Sequence, residues 1–302
     1  MNIKRNPKIM VFGAGAIGSL FGGILSDFGY DVTLVGREAH VKAINENGLI
    51  ISGFTEKTIK VDATKEPVES DIVLLTVKSY DTKQAIEGIP LSKETVVVSI
   101  QNGLNNLDTI CKYVDETRVV GGVTSNGSLT LSPGKIKHTG IGYTVIGGLN
   151  EDGNAVARDV AKILTDAGLK TDVSGNILED IWTKLMINVG INAPAALTGL
   201  RNGELPEIEE TKWVMVEAIK EAILVARKSG INIPEGIIEK VFDVAKRTRE
   251  NRCSMLQDVA NNKKTEIDAI NGAIVNLGEE MGVDTPINRT LYSLIKGIEK
   301  RS

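Results

Sequence analysis

The chain has 302 residues, of which 25% are charged, and a formal net charge of −4 at pH 7. Its length is sufficient for two domains, each with its own core. The acidic balance gives no support to nucleic-acid binding, and two histidines with two cysteines argue against a zinc site or a disulfide scaffold. No apolar run reaches the length of a membrane span, and residues 1–7 leave no room for a signal peptide, so a cytoplasmic protein is expected.

A glycine-rich turn between a strand and a helix is the first informative motif. An apolar strand over Ile9–Phe12 leads into Gly13-x-Gly15-x-x-Gly18, a helix of small and apolar residues follows, and a second strand begins at Val32. In the dinucleotide fingerprint these glycines permit a tight turn, a close backbone approach to the pyrophosphate, and helix packing on the strand. The free N–H groups of the helix start attract phosphate. The expected cofactor-binding residues of this turn are Gly13, Ala14, Gly15, Ala16, Ile17 and Gly18.

The end of the second strand predicts which nicotinamide cofactor is bound. Gly36-Arg37 occupy the place where NAD-binding proteins usually carry an acidic residue for the ribose 2′-hydroxyl. A guanidinium group holds a 2′-phosphate by two parallel hydrogen bonds, which favours NADP. Lys78, at the end of a predicted strand over Asp71–Lys78, is expected to add a second positive charge. The alternative for both side chains is an ordinary solvated surface charge.

Strands and helices alternate through the first half of the chain. Further strands are predicted over 71–78, 95–100 and 118–123, with helices near 80–88, 104–113 and 152–167. Between 127 and 148 the pattern changes to antiparallel strands, with a turn at Pro133-Gly134. After Ser174-Gly175, long amphipathic helices are predicted over 177–199, 207–229, 235–249 and 266–281. The fold class is therefore α/β, with a Rossmann-type NADP-binding domain over 1–174 and an all-helical substrate and catalytic domain over 175–302.

A polar stripe runs along the first helix of the second half. Lys184, Asn188 and Asn192 stand four residues apart in an otherwise apolar run. Each step of four turns a helix by about 400°, so the three side chains form one nearly axial row. Burial of a lysine lowers its pKa toward the range that suits general acid–base catalysis near neutral pH. The alternative is a lysine whose amine reaches water along its own apolar stem.

Several motifs occur in a fixed order along the chain. They are the Gly13–Gly18 fingerprint, Thr76-Val-Lys78, Gln101-Asn102-Gly103, Lys184-Leu-Met-Ile-Asn188-x-x-x-Asn192, Ser254-Met-Leu-Gln-Asp258 and Thr265-Glu266-Ile-Asp268-x-Ile-Asn-Gly272. In order and spacing they resemble the motifs of the 2-dehydropantoate 2-reductase, or ketopantoate reductase, family over essentially the whole chain. The resemblance implies NADPH-dependent reduction of 2-dehydropantoate to pantoate, a step in pantothenate and coenzyme A biosynthesis. It also implies a C-terminal domain similar to that of 6-phosphogluconate dehydrogenase.

The resemblance assigns catalytic roles to two residues. Lys184 would protonate the carbonyl oxygen of a 2-oxo acid as hydride arrives at the carbon, and Glu266 would tune that site and contact the cofactor. General chemistry agrees, because reduction of a ketone builds charge on oxygen that a cationic acid stabilises. The alternative for Glu266 is a first-turn carboxylate favoured by the helix dipole.

The resemblance further assigns the binding of substrate and cofactor to four polar side chains. Asn188 and Asn192 would bind the polar groups of the substrate, and Ser254 its carboxylate. Asn102 would lie between the nicotinamide end of the cofactor and the substrate. The alternatives are a Ser254 that caps a helix beginning at Met255, and an Asn102 that serves only as a turn residue.

Two other functions stay open. One is a related NAD(P)-dependent dehydrogenase of another 2-oxo or 3-hydroxy acid, since a fold does not determine a substrate. The other is a non-catalytic NADP-binding sensor, against which the complete set of polar side chains argues. The expected partner is a small 2-oxo acid, with no nucleic acid and no membrane. A homodimer formed through the helical half is an alternative to a monomer.

Overall fold

A computed structural model describes residues 3, 4 and 6–301. The chain divides into two units, the first comprising Met1–Gln101 and Asn105–Ile177, the second Asn102–Leu104 and Leu178–Ser302. The division after Ile177 lies three residues beyond the expected one, and the short segment Asn102–Leu104 of the first half belongs to the helical unit. Within the described residues, no helix is both long enough and apolar enough to cross a membrane.

The first unit contains all the strands of the described residues and five α-helices. The strands are β1 (Lys8–Phe12), β2 (Asp31–Val35), β3 (Leu49–Gly53), β4 (Lys57–Ile59), β5 (Asp62–Thr64), β6 (Ile72–Leu75), β7 (Val96–Ser99), β8 (Val119–Thr124), β9 (Gly127–Ser132), β10 (Lys135–Gly140), β11 (Thr144–Gly148) and β12 (Thr171–Val173). The helices are α1 (Ala16–Phe28), α2 (Glu38–Asn47), α3 (Thr82–Gly88), α4 (Asn106–Ile110) and α5 (Glu151–Asp166).

Eight strands form a sheet in the order β12-β11-β8-β7-β6-β1-β2-β5. The six strands from β8 to β5 are parallel, whereas β11 runs antiparallel to β8. Every residue of β6 and β7 is buried, as is typical of parallel strands with both faces covered. This sheet confirms the α/β prediction, and the carboxyl ends of β1, β2 and β6 bring their following loops to one edge.

A second sheet of four strands has the order β4-β3-β10-β9. Strands β9 and β10 form the predicted antiparallel pair around Pro133-Gly134. The predicted strand near 142–147 is present as β11, but it pairs with β8 in the larger sheet. Strands β3, β4, β5 and β12 and helix α2 were not predicted. Helix α1 contacts strands of both sheets, so the fingerprint helix lies inside the core of this unit.

The second unit is helical throughout its described residues. Its α-helices are α6 (Ile177–Thr198, of which Ile177 falls in the first unit), α7 (Glu209–Lys228), α8 (Ile237–Arg247), α9 (Ser254–Ala260), α10 (Asn271–Met281) and α11 (Pro286–Glu299). The predicted helix over 266–281 is broken, because a 3-10 turn at Ile267–Ala269 precedes α10. Helix α11 was not predicted, although Pro286 in its first turn is a usual helix-start feature.

Candidate active site

The turn after β1 has the geometry that a dinucleotide pyrophosphate needs. Gly13 has φ +109°, and a Cβ there would lie 2.6 Å from the backbone nitrogen of Val77. A Cβ on Gly18 would lie 2.3 Å from the backbone oxygen of Gly13, so α1 packs directly on the turn. A Cβ on Gly15 would meet only one atom, at 3.9 Å, which leaves open space in front of the turn. No side chain caps the N-terminus of α1, so its N–H groups suit a phosphate in that space.

The two predicted cationic residues lie after β2 and β6. Arg37 is exposed, immediately follows Gly36, and occupies the N-cap position of α2. Glu38 is the first carboxylate after β2, and it lies 3.7 Å from the amine of Lys65. Lys78 is partly buried and comes three residues after β6, because the strand ends at Leu75 rather than at the lysine. The position after β2 therefore carries an exposed guanidinium, with no acidic residue before Glu38.

Helix α6 presents the predicted polar stripe. It is continuous from Ile177 to Thr198, so Lys184, Asn188 and Asn192 follow one another at helical spacing. Asn192 is buried, whereas the other two side chains are partly buried. The amide nitrogen of Asn188 is buried and has no hydrogen-bond partner in the described part of the chain. Buried polar atoms are nearly always paired, so an unpaired amide beside a candidate catalytic lysine is consistent with a missing ligand.

Lys184 has the electrostatic setting of a general acid. Desolvation lowers its pKa to about 8, and the negative charge of Glu266 partly opposes that effect. Glu266 is only 5% exposed and precedes the 3-10 turn at Ile267–Ala269. Its Oε2 accepts a hydrogen bond of 3.3 Å from the side-chain amide of Asn102. Glu266 lies before the 3-10 turn and outside the first turn of α10, so the alternative of a first-turn carboxylate favoured by the helix dipole is disfavoured.

Gly103 explains how Asn102 approaches Glu266. Its φ is +84°, and a Cβ there would lie 2.6 Å from both the Cβ and the carbonyl oxygen of Ala269. The next amide, that of Leu104, donates a hydrogen bond of 3.2 Å to the same carbonyl. Only glycine permits this approach. The motif Gln101-Asn102-Gly103 therefore brings a polar side chain against the turn that carries the candidate carboxylate.

Gln101, in the same motif, has a structural role. Its side-chain nitrogen donates to the carbonyl of Val77 at 2.9 Å and to the hydroxyl of Thr82 at 2.8 Å. Its side-chain oxygen accepts from Ser99 at 2.9 Å. The side chain is buried and makes hydrogen bonds through both polar atoms. It thus holds the end of β7 to the loop after β6, which leaves Asn102 as the motif's candidate for ligand binding.

Ser254 does not cap α9, contrary to its alternative interpretation. The N-cap is Cys253, whose sulfur accepts a hydrogen bond from the amide of Leu256 at 3.4 Å. The same sulfur donates to the backbone oxygen of Asn192 at 3.6 Å, which joins the start of α9 to helix α6. Burial raises the pKa of the Cys253 thiol to about 11. Ser254 is exposed in the first turn of α9, where its hydroxyl is accessible to a ligand.

The structure therefore divides the predicted site residues into two groups. Asn102, Lys184, Asn188, Asn192, Ser254 and Glu266 all belong to the second unit, and the fingerprint, Arg37 and Lys78 to the first. Two further residues hold the backbone near site residues. Cys253 joins the start of α9 to α6, and Gly103 brings the backbone beside Asn102 close to Ala269. Gly103 belongs to the motif Gln101-Asn102-Gly103, whereas nothing in the sequence distinguishes Cys253 from an ordinary core cysteine.

Comparisons with known proteins match both halves of the chain. The family described as "Ketopantoate reductase PanE/ApbA" matches residues 9–151, and its C-terminal counterpart, "Ketopantoate reductase PanE/ApbA C terminal", matches residues 176–299. A 2-dehydropantoate 2-reductase of Pyrococcus abyssi (strain GE5 / Orsay) is 40% identical over 295 residues, which cover 97% of this chain and 98% of that protein.

Two solved structures are similar over nearly the whole chain. A PanE/ApbA family ketopantoate reductase from Ralstonia eutropha JMP134 has a TM-score of 0.91 and 33% identity, covering 97% of this chain and 99% of the other. A D-mandelate dehydrogenase solved with NADH and anilino(oxo)acetate has a TM-score of 0.92 and 28% identity, with the same coverage. Sequence motifs, fold and relatives thus agree, and the chain belongs to the ketopantoate reductase family.

Proposed function

We propose that this protein is an NADPH-dependent 2-dehydropantoate 2-reductase, which reduces the 2-oxo group of 2-dehydropantoate to the hydroxyl group of pantoate. This reaction belongs to pantothenate and coenzyme A biosynthesis. The observation that carries the proposal is the placement of Lys184 in line with Asn188 and Asn192 on α6. The lysine is partly buried, and desolvation lowers its pKa to about 8, which keeps most of the amine protonated at neutral pH yet ready to release a proton. Full-length relatives named 2-dehydropantoate 2-reductase support the same reaction.

Lys184 donates a proton to the carbonyl oxygen as the ketone is reduced. The hydride for the carbonyl carbon would come from the nicotinamide cofactor when it is bound. Negative charge develops on the oxygen during this step, and a positioned acid of suitable pKa lowers the barrier by donating a proton to that oxygen. Glu266 keeps the lysine more basic than burial alone would leave it, and so favours the protonated form that the reaction consumes.

Three side chains bind and orient the substrate. Asn188 and Asn192 follow Lys184 along α6, so they offer amide groups to the hydroxyl and carbonyl oxygens of a 2-oxo acid. The buried amide nitrogen of Asn188 lacks a partner within the described residues, and a substrate oxygen would supply one after rotation of the amide. Ser254 offers its exposed hydroxyl to the substrate carboxylate.

The cofactor is a nicotinamide dinucleotide, and we propose NADP rather than NAD. The residues Gly13–Gly18 would hold its pyrophosphate at the start of α1. Arg37 would bind the 2′-phosphate, with Lys78 as a second cation, and the absence of a carboxylate before Glu38 disfavours NAD. Asn102 and Glu266 would contact the nicotinamide end.

A second candidate is a dehydrogenase of a different 2-oxo acid. The likeness to D-mandelate dehydrogenase favours it, because that protein was solved with NADH and an oxoacetate at 28% identity to this chain. A non-catalytic NADP-binding sensor is disfavoured, because cofactor binding alone requires neither a lysine of lowered pKa nor the asparagines beside it.

A single assay separates these functions. Purified protein is mixed with NADPH or NADH and with 2-dehydropantoate, benzoylformate, pyruvate or 2-oxoisovalerate, and the loss of nicotinamide absorbance is followed. We expect the highest kcat/KM with 2-dehydropantoate and NADPH. A higher value with another acid would support the second candidate. Cofactor binding without oxidation by any acid would support the sensor and contradict the proposal.

A further inference from the structure

Helix α11 supports the turn that carries Glu266. Three of its side chains, Tyr292, Lys296 and Glu299, are spaced by four and three residues and therefore lie on one face. All three make polar contacts with residues 265–268, directly before and after the candidate carboxylate. The sequence motifs around the candidate site do not include this helix.

Glu299 binds the residue immediately before Glu266. Its Oε1 accepts hydrogen bonds from both the backbone amide and the hydroxyl of Thr265, at 2.8 and 2.7 Å. Thr265 is fully buried, and its hydroxyl oxygen in turn accepts a bond of 3.2 Å from the amide of Ile267. One carboxylate thus fixes the backbone on both sides of Glu266. Hydrogen bonds to a charged acceptor are about twice as strong as neutral ones.

The remaining contacts restrain Glu299 itself and Asp268, which lies within the 3-10 turn. The amine of Lys296 lies 3.0 Å from Oε2 of Glu299 and 3.0 Å from Oδ2 of Asp268. The hydroxyl of Tyr292 donates to Oδ1 of Asp268 at 3.1 Å. The side chain of Glu299 is only 11% exposed, so water competes little for its bonds. The pKa of Glu299 is below its ordinary value, because the bonds from Thr265 and Lys296 outweigh the opposing effect of burial.

We propose that Glu299 is a positioning residue of the active site, which acts through Thr265 to hold Glu266 beside Asn102 and Lys184. The inference rests on the proposed function, since it gives Glu266 its importance. Glu299 itself has no assigned contact with substrate or cofactor. Its effect passes through the backbone of residues 265–267, and from there to the carboxylate that stabilises the protonated lysine.

The electrostatic consequence has a defined direction. Lys184 faces the charge of Glu266, which raises its pKa against the larger lowering caused by burial. Glu299 faces Lys296 on its own helix and the uncharged Thr265 on the opposing turn, with Tyr292 and Asp268 beyond them. If the turn loosens, Glu266 spends less time near the lysine, and Lys184 loses its proton at lower pH.

The test compares Glu299→Ala, Glu299→Gln and Thr265→Val with Glu280→Ala, a control at an exposed glutamate on α10. The titration midpoint of Lys184 is measured by NMR on protein labelled at the lysine side chains, without substrate. The pH profile of kcat/KM is measured in parallel. Lys184→Met serves only to assign the NMR signal.

We expect Glu299→Ala to lower the midpoint, and the alkaline limb of the rate profile, by about 0.5–1 pH unit, a part of the 1–3 units that a neighbouring opposite charge contributes. Glu299→Gln retains an acceptor for Thr265 and should restore most of the wild-type midpoint. Thr265→Val should move it in the same direction as Glu299→Ala, but less, and it provides the test if Glu299→Ala does not fold.

An unchanged midpoint in both Glu299→Ala and Thr265→Val would overturn the inference, even if both variants melt at lower temperature, because stability alone does not change the titration of a lysine. The NMR measurement needs no turnover. A wild-type protein that reduces no 2-oxo acid would therefore contradict the proposed function, while the midpoints would still decide the role of Glu299.

Discussion

The two units contribute site residues of different kinds. In the first unit the fingerprint offers mainly backbone, with Gly15 leaving space and the start of α1 providing N–H groups. In the second unit the candidate site consists of side chains, of which Lys184 and Glu266 carry opposite charges. A site made of backbone is impaired by adding atoms, whereas a site made of side chains is impaired by removing them. This difference leads to opposite expectations for substitutions in the two units.

The largest expected effect is the loss of the candidate acid. Lys184→Ala should lower kcat by about 10²-fold or more, as is typical when a general acid is removed. NADPH affinity should change little, since the pyrophosphate and 2′-phosphate are expected to bind the first unit. Steady-state kinetics and fluorescence titration with NADPH measure the two effects separately. Lys228→Ala, at an exposed lysine near the end of α7, is the control. Near-normal turnover in Lys184→Ala would exclude this lysine from the mechanism.

The next effect concerns the choice of cofactor. Arg37→Asp should lower the ratio of kcat/KM with NADPH to that with NADH by about 10- to 100-fold, because hydrogen bonds to a charged group contribute about 1.5–3 kcal/mol. The new carboxylate also repels the 2′-phosphate and accepts from the ribose hydroxyls of NADH. Glu38→Ala, at the next residue, should leave the ratio nearly unchanged. If the ratio is unchanged in Arg37→Asp, the preference for NADPH over NADH depends on Lys78 or another group.

Two glycines of the fingerprint should respond differently to one added methyl group. Gly18→Ala forces a Cβ within 2.3 Å of the backbone oxygen of Gly13, and should lower the free energy of unfolding. The overpacking cost is about 1–3 kcal/mol. Gly15→Ala has room for the methyl group, so it should fold normally but bind NADPH about tenfold more weakly or worse, as expected if one charge-assisted phosphate contact is lost.

Thermal unfolding and cofactor titration of both variants distinguish these effects. Gly88→Ala, where an added Cβ meets no atom within 4 Å, controls for the change of residue type. Equal losses of stability in Gly15→Ala and Gly18→Ala would contradict the expectation that Gly15 has room for a methyl group.

The smallest effect is a pH dependence of stability in the first unit. His40 is buried, its Nδ1 accepts from the amide of Gly134 at 3.0 Å, and its Nε2 lies 3.0 Å from the hydroxyl of Ser19. Burial lowers the pKa of His40 below its ordinary value of 6.5, so the folded protein holds it neutral. Its contribution is fully present above the unfolded pKa and decreases as the pH falls below about 6.5, where the unfolded chain binds the proton first.

Urea unfolding at pH 7.5 and 5.5 tests this expectation. The loss of stability between the two should be a fraction of the about 1.4 kcal/mol per pH unit that one fully linked proton provides. His40→Gln should show a smaller loss than the wild type. An equal loss in both proteins would assign the pH dependence to other groups.

The sequence predicts the local features of both units well. Spacing alone predicts the fingerprint and the stripe on α6, because each lies within one turn or one helix. It does not predict that Cys253, rather than Ser254, caps α9, since the two are adjacent and serine is the more common cap. Nor does it predict the bonds from Glu299 to Thr265, which join residues 34 positions apart. Strands β4, β5 and β12 were missed because each has only three residues, too few for a periodic pattern; β3, with five residues, was missed as well.

The close approach of Gly103 to Ala269 determines when the two parts of the candidate site can form during protein synthesis. Asn102 and Glu266 are separated by 164 positions, so their hydrogen bond cannot form until residue 266 has left the ribosome. The fingerprint turn, by contrast, needs only the first 77 residues for its contacts with Val77. During synthesis, cofactor-binding elements can therefore assemble well before any catalytic group is in place, and a chain stopped before residue 266 would lack the candidate carboxylate entirely.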